Sequence, residues 1–379
     1  MPIFLCYDPK KRTTPWTQEK YRSMTNEFSK RRIKYFSVSS PDELKEYLAQ
    51  YPNETSSIVF FPSYEGERNY LFSRYGSFDI NRIIFSHQDV DVAETNFSYV
   101  MSDFHGDMQL AISHLKEKGC KKIALFSANP NAYHDRMRIE TYKKLIFHDP
   151  LVFTTNSKIY PAVEQLMTCN EKIDAIICIN DFVAFCLMLI LDSWDKDWGK
   201  KLLLLSFSGT ILSSLCSPSL SSISFNYTDG GKEVATIHRT LEKNKRMAYM
   251  HIVMKSLLEK RETTLLENPC GMVFSDYGEY DYEIIKAVIA PQRKCMPLEK
   301  LLAMSDESDL AAIHGLVEGA TLSKIAERLY LTRDTVKYRV KKLKEALNCS
   351  STNELSEFLK RWIIPQNLEQ MIIEMKDKQ

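Results

Sequence analysis

The feature that most constrains the fold of this 379-residue chain is an alternation of short apolar runs with amphipathic helical patterns, which continues to about residue 285. Runs such as SIVFFP (57–62), DAIICIN (174–180) and KLLLLSFS (201–208) are almost continuously apolar. Such runs are typical of central strands in a parallel sheet that is covered by helices on both faces. We therefore expect the α/β class, with two lobes because the strand candidates are too many for one. In such sheets, ligands bind beyond the carboxyl ends of the strands.

The strand patterns stop after residues 278–300, and every strong pattern from there to Gln379 is helical. Pro291 and Pro297 indicate a linker. The sequence thus predicts a large α/β domain over residues 1–290 and a small all-α domain over residues 300–379. Between residues 229 and 259 the pattern holds enough for two helices, and we have no function to assign to that segment.

Two amphipathic helices with a three-residue turn lie in TLSKIAERLYLTRDTVKYRVKKLKEALNC, residues 321–349. Thr321 and Thr332 are candidate N-caps. Residues 321–350 carry eight Lys/Arg against three Asp/Glu, whereas the whole chain has a net charge of only +1. In the second helix the apolar residues share one face, and this buried stripe consists of Val336, Val340, Leu343 and Leu347. The pattern predicts a helix-turn-helix whose second helix is basic on its outer face.

Such a helix enters the major groove of double-stranded DNA by its N-terminal half. We expect Lys337, Tyr338 and Lys341 to read base edges. The residues expected to hold phosphates lie at the start and on the flanks of the helix, and they are Arg333, Thr335, Arg339, Lys342 and Lys344. The alternative is that the basic arc is an ordinary solvated face of a helical bundle.

The stretch GLVEGATLSKIAERLYLTRDTVKYRVKKLKEALNCSSTNEL resembles the LuxR/GerE-type DNA-binding domain, over about residues 303–365. The resemblance implies that Lys337, Tyr338 and Lys341 occupy base-contacting positions, and that the helix TNELSEFLKRWI pairs two such domains in a homodimer. Two positions depart from the family pattern. Asp309 stands where a glutamate is usual, and Gly315 replaces an apolar residue, so the first helix is expected to be weaker or shifted.

Residues 2–285 resemble the periplasmic-binding-protein-like effector domain of LacI-family regulators. The resemblance rests on YVMSDFHGDMQLAISHLKEKGCKKIALFS (99–127), on RMRIETY, on AIICINDFVAF and on SPSLSSISFN. It implies that Arg138 contacts an effector. Ser208 stands where the family has an aspartate, which would clamp paired hydroxyls.

The candidate ligand residues suit a polar molecule, and we expect a sugar. Arg138 supplies donors, Asn180 a donor and an acceptor, and Asp103 and Asp181 acceptors. The remaining candidates are the position of the missing aspartate and three rings that would stack on an apolar sugar face: Ser208, Trp16, Tyr7 and Tyr64. Asp103 and Asn180 lie at strand-to-helix junctions, where such residues also cap helices. Loss of the aspartate leaves open a less typical sugar, another small polar molecule, or no ligand.

Other classes of protein are disfavoured. The chain has no Gly-x-Gly-x-x-Gly, P-loop, Gly-x-Ser-x-Gly or His-Glu-x-x-His motif, so we expect no enzyme and no cofactor. Nine cysteines without a Cys-x-x-Cys pair, and histidines without metal spacing, predict reduced thiols and no metal. No signal peptide is apparent, and the longest apolar run, FVAFCLMLIL, is too short to span a bilayer. The sequence therefore predicts a cytoplasmic, dimeric transcription regulator that senses a ligand. The alternative is a regulator without a ligand, whose large domain serves dimerisation or protein contact.

Overall fold

The computed structural model describes residues 2–6, 15–51, 56–62, 65–86, 96–147, 149–156 and 158–377. The strands, in chain order, are β1 (Ile3–Cys6), β2 (Tyr35–Val38), β3 (Ser57–Phe60), β4 (Asn81–Phe85), β5 (Ser98–Ser102), β6 (Ile123–Ala128), β7 (Leu151–Thr154), β8 (Lys172–Ile173), β9 (Ala175–Cys178), β10 (Leu203–Phe207), β11 (Ser221–Ser224), β12 (His251–Met254), β13 (Leu257–Glu259) and β14 (Met272–Val273).

The helices are α1 (Pro15–Lys30), α2 (Pro41–Ala49), α3 (Glu65–Tyr75), α4 (Phe104–Glu117), α5 (Tyr133–Leu145), α6 (Tyr160–Met167), α7 (Asp181–Trp194), α8 (Ile211–Leu215), α9 (Tyr227–Lys243), α10 (Tyr282–Ile289), α11 (Cys295–Met304), α12 (Glu307–Val317), α13 (Leu322–Arg328), α14 (Arg333–Ala346), α15 (Thr352–Trp362) and α16 (Pro365–Asp377). The chain divides into two compact units, each built from two segments. The first comprises Met1–Asp107 and Phe225–Leu257, and the second Met108–Ser224 and Leu258–Gln379.

The first unit is built on a six-stranded sheet in the order β12-β5-β4-β3-β1-β2, and its neighbouring strands are parallel. One face of β1 packs in a cluster with α1 and α9, through Ile3 and Leu5. The other face packs with α2 and α3, through Phe4 and Cys6. Burial on both faces explains why the strand reads as a continuous apolar run, as the sequence predicted.

The second unit has a sheet in the order β13-β11-β10-β9-β6-β7, in which the strand pairs from β11 to β7 are parallel. One face of the sheet packs with α4 and α5, and Leu125, Ile177 and Leu205 lie in that core. Helix α7 also packs on β9 and β10, and it is apolar almost all round because α10 and the ring of Trp362 cover its other side. The predicted α/β class is confirmed.

The carboxyl-terminal helices α11–α16 confirm the predicted all-α region, but they pack on the second unit instead of following a linker. Helix α10 continues into a 3-10 segment, Ala290–Lys294, and then directly into α11. Pro291 and Pro297 each lie in a first helical turn, where a missing amide N–H is tolerated. The predicted linker is therefore helical, and Leu298 is fully buried.

The expectation of two helices between residues 229 and 259 is wrong in its second part. Helix α9 forms, but the next apolar run is the strand β12, which pairs in parallel with β5 at the edge of the first sheet. Short apolar runs cannot be assigned to helix or strand by periodicity alone. In the part of the chain that the structure describes, no helix is both long enough and apolar enough to span a bilayer.

Candidate functional site

Helix α14 buries one face and presents a cationic face to solvent. Val336, Val340 and Leu343 are at most 5% exposed, on a helix that contacts α11, α12, α13 and α15. On the opposite arc, Lys337 and Lys341 are exposed, and Tyr338 is 59% exposed. Lys341 lies 3.8 Å from Glu345, one turn along the same face. The three predicted base-reading residues thus share one open surface.

Local capping sets where α13 and α14 begin, as the sequence predicted. The Thr321 hydroxyl accepts a hydrogen bond from the amide of Lys324 at 3.3 Å, and the Thr332 hydroxyl accepts one from the amide of Thr335 at 3.2 Å. Between them, Tyr330 takes a left-handed conformation (φ 52°), and the Leu331 amide bonds to the Ala326 carbonyl. This helix ending turns the chain sharply before α14.

The two departures from the family pattern both have a structural role. Gly315 lies where α12 meets α13, and a Cβ there would come within 2.6 Å of the Ile325 side chain. Asp309 forms a capping box with Asp306 at the start of α12. The helix begins at Glu307 and is neither missing nor broken, so the expected weakness is offset by close packing and by this cap.

The predicted phosphate-holding residues do not all have the same environment. Arg333 and Lys342 are exposed, whereas Thr335 and Lys344 are half-buried. Arg339 differs from the prediction, because its guanidinium lies 3.0 Å from the carboxylate of Asp306 and 2.5 Å from that of Asp309. It is therefore held against the start of α12 instead of pointing into solvent.

Helix α15, which the resemblance assigns to pairing of two copies, uses its apolar face inside the second unit. Leu355, Leu359 and Trp362 are buried, and Trp362 packs edge-on against Phe185 of α7 at a ring distance of 5.5 Å. Its outward face is polar and consists of Asn353, Glu354, Glu357, Lys360 and Arg361.

Three ligand candidates of the second unit come together at the carboxyl ends of its strands. Arg138 lies over the ring of Phe207 at 4.4 Å and donates a hydrogen bond to the Ile179 carbonyl at 3.3 Å. Phe207 ends β10 and precedes Ser208, whose amide donates to the Ile223 carbonyl and whose φ is 124°. Asn180 follows β9 and caps α7, because its side chain accepts from the amide of Val183 at 3.0 Å.

Asp181 differs from its predicted role as a ligand acceptor. It is fully buried, and its carboxylate accepts hydrogen bonds from the hydroxyls of Ser206 at 2.5 Å and Ser222 at 2.7 Å. The amide and the hydroxyl of Thr210 both donate to its other oxygen, each at 2.7 Å. Burial raises the pKa of Asp181, and these hydrogen bonds act in the opposite direction. The donors are all internal, so this carboxylate joins strands and helices of the protein itself.

Residues 112–264 match the family model of a periplasmic binding protein-like domain. A dimeric Lac repressor with an 11-residue C-terminal deletion is 14% identical, with a TM-score of 0.55 over 71% of this chain and 100% of the repressor. A CelR regulator complexed with cellobiose is 14% identical, with a TM-score of 0.53 over 69% of this chain and 84% of that regulator. A LacI family regulator from Enterococcus faecalis with bound ribose is 18% identical, with a TM-score of 0.52 over 72% of this chain and 100% of that regulator. No curated protein matches the chain.

The α/β part has the periplasmic-binding-protein-like fold.

The first unit also contributes candidate ligand residues. Asp103 lies at the carboxyl end of β5 and accepts a hydrogen bond from the Gly106 amide at 2.9 Å, which caps α4. Trp16 is half-buried in the first turn of α1. Tyr7 and Tyr64 lie outside the described residues.

Sequence reasoning missed Lys20, which is fully buried in the first unit. Its ammonium donates to the Pro62 carbonyl at 3.3 Å, just beyond the carboxyl end of β3. Burial lowers the pKa of Lys20 to about 7, although the charge of Glu67 acts to raise it. A signal was available, because Lys20, Met24 and Phe28 follow one another at four-residue spacing on the buried face of α1. Among the residues that the structure describes, no His, Cys, Asp and Glu group is arranged to hold a metal ion.

Proposed function

We propose that this protein is a DNA-binding transcription regulator. Its α/β units bind a small polar ligand, and its helix α14 binds the major groove of double-stranded DNA. The observation that carries the proposal is the exposed cationic face of α14 over a fully buried apolar stripe, in a chain that also holds a periplasmic-binding-protein-like fold.

The geometry of α14 suits the major groove, which is wide enough to admit one α-helix. Lys337, Tyr338 and Lys341 lie on its outer arc, and we assign to them the reading of base edges. Lysine donates to the guanine acceptors O6 and N7, while the exposed Tyr338 ring offers an apolar surface and one hydroxyl. The ammonium of Lys342 lies 4.7 Å from the centroid of that ring, within the range of a cation–π contact.

The residues beside this arc are assigned to phosphates, which position a protein on the duplex without reading sequence. Arg333, Thr335, Lys342 and Lys344 take this role in the proposal. Arg339 is better suited to hold α14 on α12, because two carboxylates already share its guanidinium. The order of helices is what the LuxR/GerE resemblance implies, and we propose that α12–α15 form that class of DNA-binding domain.

A sugar is the ligand class that we propose. The structural neighbours include a regulator with cellobiose and another with bound ribose. In the second unit, the side chains of Arg138, Asn180 and Ser208 lie at the carboxyl ends of adjacent strands, where ligands bind in parallel sheets. In the first unit, Asp103 has a similar position after β5. These groups donate and accept hydrogen bonds, as sugar hydroxyls require.

One observation favours the second candidate, a regulator whose α/β units bind no ligand and serve dimerisation or protein contact. Asp103 and Asn180 each cap a helix, and the Asp181 carboxylate is inaccessible. Polar side chains in such positions have a structural use without any ligand. A thermal-shift series with cellobiose, D-ribose and other sugars separates the two candidates, because a ligand that binds only the folded chain raises its Tm. No Tm shift with any sugar at millimolar concentration would favour the second candidate.

DNA binding is tested by selecting duplexes from a random library with the full chain, and then footprinting the selected sequence. We expect one enriched motif, protected by the wild-type chain and not by the Lys337→Ala/Lys341→Ala variant. The matched control is Lys200→Ala/Lys286→Ala, which removes the same charge from lysines outside α14 that pair with neighbouring carboxylates. Absence of enrichment, or equal loss in both double variants, would reject α14 as the recognition helix.

A further inference from the structure

The helix α8 is held at both ends by the carboxyl-terminal helices. It is only five residues long, so most of its backbone groups have no partner within the helix. At its start, the two oxygens of Glu299 accept from the amides of Ile211 and Leu212, both at 2.8 Å. Glu299 lies on α11 and is 4% exposed. The first amides of α8 are therefore bonded to a side chain of the protein itself.

The other end of α8 is held by the segment that begins α16. The Ile364 amide donates to the Leu215 carbonyl at 2.8 Å, and the Asn367 side chain donates to the Ser214 carbonyl at 3.0 Å. Helix α8 is therefore hydrogen-bonded both to α11 and to the segment that begins α16. Helix α11 itself also contacts α14.

On its other side α8 is joined to the strand ends that carry the ligand candidates. Thr210 caps α8 and donates two hydrogen bonds to Asp181, the residue after Asn180. Ser208 is two residues before Thr210, in the same connection from β10. Asp181 also accepts from Ser206 of β10 and Ser222 of β11. The connection 208–210 is therefore joined to α8, β10 and β11 through one set of hydrogen bonds centred on Asp181.

We infer that Glu299 is a positioning residue that couples the strand-end connection 208–210, through α8 and α11, to the recognition helix α14. This inference rests on the proposed function. If the strand ends bind a ligand and α14 binds DNA, the coupling lets the ligand change the orientation of α14. In this proposal Glu299 acts through α8 and α11 and not by direct contact with ligand or DNA. Its carboxylate is suited to the task because two short charge-assisted bonds fix α11 to α8 in one orientation.

The test is a double-mutant cycle in the full chain, made with Thr210→Val and Glu299→Gln. The first change removes the hydroxyl that caps α8 and bonds Asp181, and the second leaves one acceptor oxygen for two amides. We expect Thr210→Val to speed hydrogen exchange in peptides covering α11 and α14, and to change the dissociation constant of the selected duplex about 5-fold or more. In the Glu299→Gln background the same change should alter exchange in α14 and duplex affinity by less than about 2-fold.

The matched control is Glu262→Gln. Glu262 accepts from the amide and hydroxyl of Ser219, so it makes similar bonds within the second unit without contacting α8 in them. The effect of Thr210→Val should persist in that background. Thr210→Ser keeps the hydroxyl and should behave as wild type, while Asn367→Ala, at the other end of α8, should weaken the coupling as Glu299→Gln does.

Equal effects of Thr210→Val in the wild-type and Glu299→Gln backgrounds would overturn the inference, as would faster exchange that stays confined to α8. Failure of the proposed function looks different. If the wild-type chain binds no duplex, DNA binding is rejected, and the exchange of α11 and α14 still decides whether the coupling exists. Melting curves of each variant establish that the chains compared are folded.

Discussion

Two polar regions of the second unit use their charges in opposite ways. Around the start of α7, the Asp181 carboxylate is fully buried, and it accepts hydrogen bonds from Ser206, Thr210 and Ser222. On α14, Lys337 and Lys341 extend from an exposed face, and the Lys341 ammonium lies 3.8 Å from the carboxylate of Glu345 on the same helix. Both regions were singled out from the sequence as binding sites. The comparison shows that burial and internal partners separate a charge that holds the fold from one that is available to a partner.

The largest effect expected from this comparison is on stability, from Asp181→Ala. The variant leaves the donors of Ser206, Thr210 and Ser222 without their acceptor in a buried site, and we expect the free energy of unfolding to fall by about 3–5 kcal/mol. Denaturant titration measures it. Asp197→Ala is the control, since that carboxylate is 63% exposed and pairs only with Lys200 in the contacts described, so its loss should cost less than about 1 kcal/mol. Similar losses in free energy of unfolding for Asp181→Ala and Asp197→Ala would show that burial of the Asp181 carboxylate does not make it important for stability.

Much of the architecture could be predicted because the strands are buried on both faces. Continuous apolar runs such as the one around Leu203 leave few alternatives to a parallel sheet. The strand β12 was missed because HIVM lies at a sheet edge and is too short for its periodicity to decide between helix and strand. The helical segment around Pro297 was missed because proline in a first turn gives the same signal as proline in a linker.

The candidate sites could be predicted only in part. The arc of Lys337 and Lys341 follows from helical spacing, which is a local property. The partners of Asp181 come from β10, the connection after it and β11, and no local pattern indicates which distant residues will meet. Arg339 illustrates the same limit, because its spacing places it on a flank of α14 while its contact with Asp306 depends on how α12 packs.

Lys20 sharpens the comparison, because it is a buried cation of the first unit with a pKa lowered to about 7. Between pH 7 and 10.5 the unfolded chain binds a proton there that the folded chain does not, so stability due to this group rises with pH across that window and is lowest below it. The advantage of Lys20→Met over wild type in free energy of unfolding should therefore shrink by on the order of 3 kcal/mol as pH rises from 7 towards 10.5. Denaturant titrations at several pH values measure this difference. A difference in free energy of unfolding between Lys20→Met and wild type that stays the same at every pH would contradict the assignment.

A smaller effect is expected from Lys337→Ala, because an exposed lysine contributes to binding and little to stability. We expect affinity for the selected duplex to fall by about 1–3 kcal/mol, with a relaxed preference at one base pair and an unchanged melting temperature. Fluorescence anisotropy with the selected duplex and with its single-base variants measures the affinity and the base preference, and a melting curve gives the melting temperature. Lys286→Ala, on α10, is the control and should change neither. If Lys337→Ala kept the full base preference, Lys337 would not read a base edge, and the residues that do so would have to lie elsewhere.

The smallest effect separates Lys342 from Arg339, which the sequence alone assigned to the same task. Lys342 is exposed, so Lys342→Ala should weaken binding to all duplexes about equally and reduce the slope of log affinity against log salt by about 0.9, the value for one phosphate contact. Arg339 is shared between Asp306 and Asp309, so Arg339→Ala should leave the slope unchanged and lower the melting temperature. Titrations at several salt concentrations decide between them. If Arg339→Ala reduced the slope as much as Lys342→Ala, the ion pairs of Arg339 with Asp306 and Asp309 would have to open when DNA binds. A charge with partners inside the protein could then still be available to DNA, contrary to the comparison with Asp181.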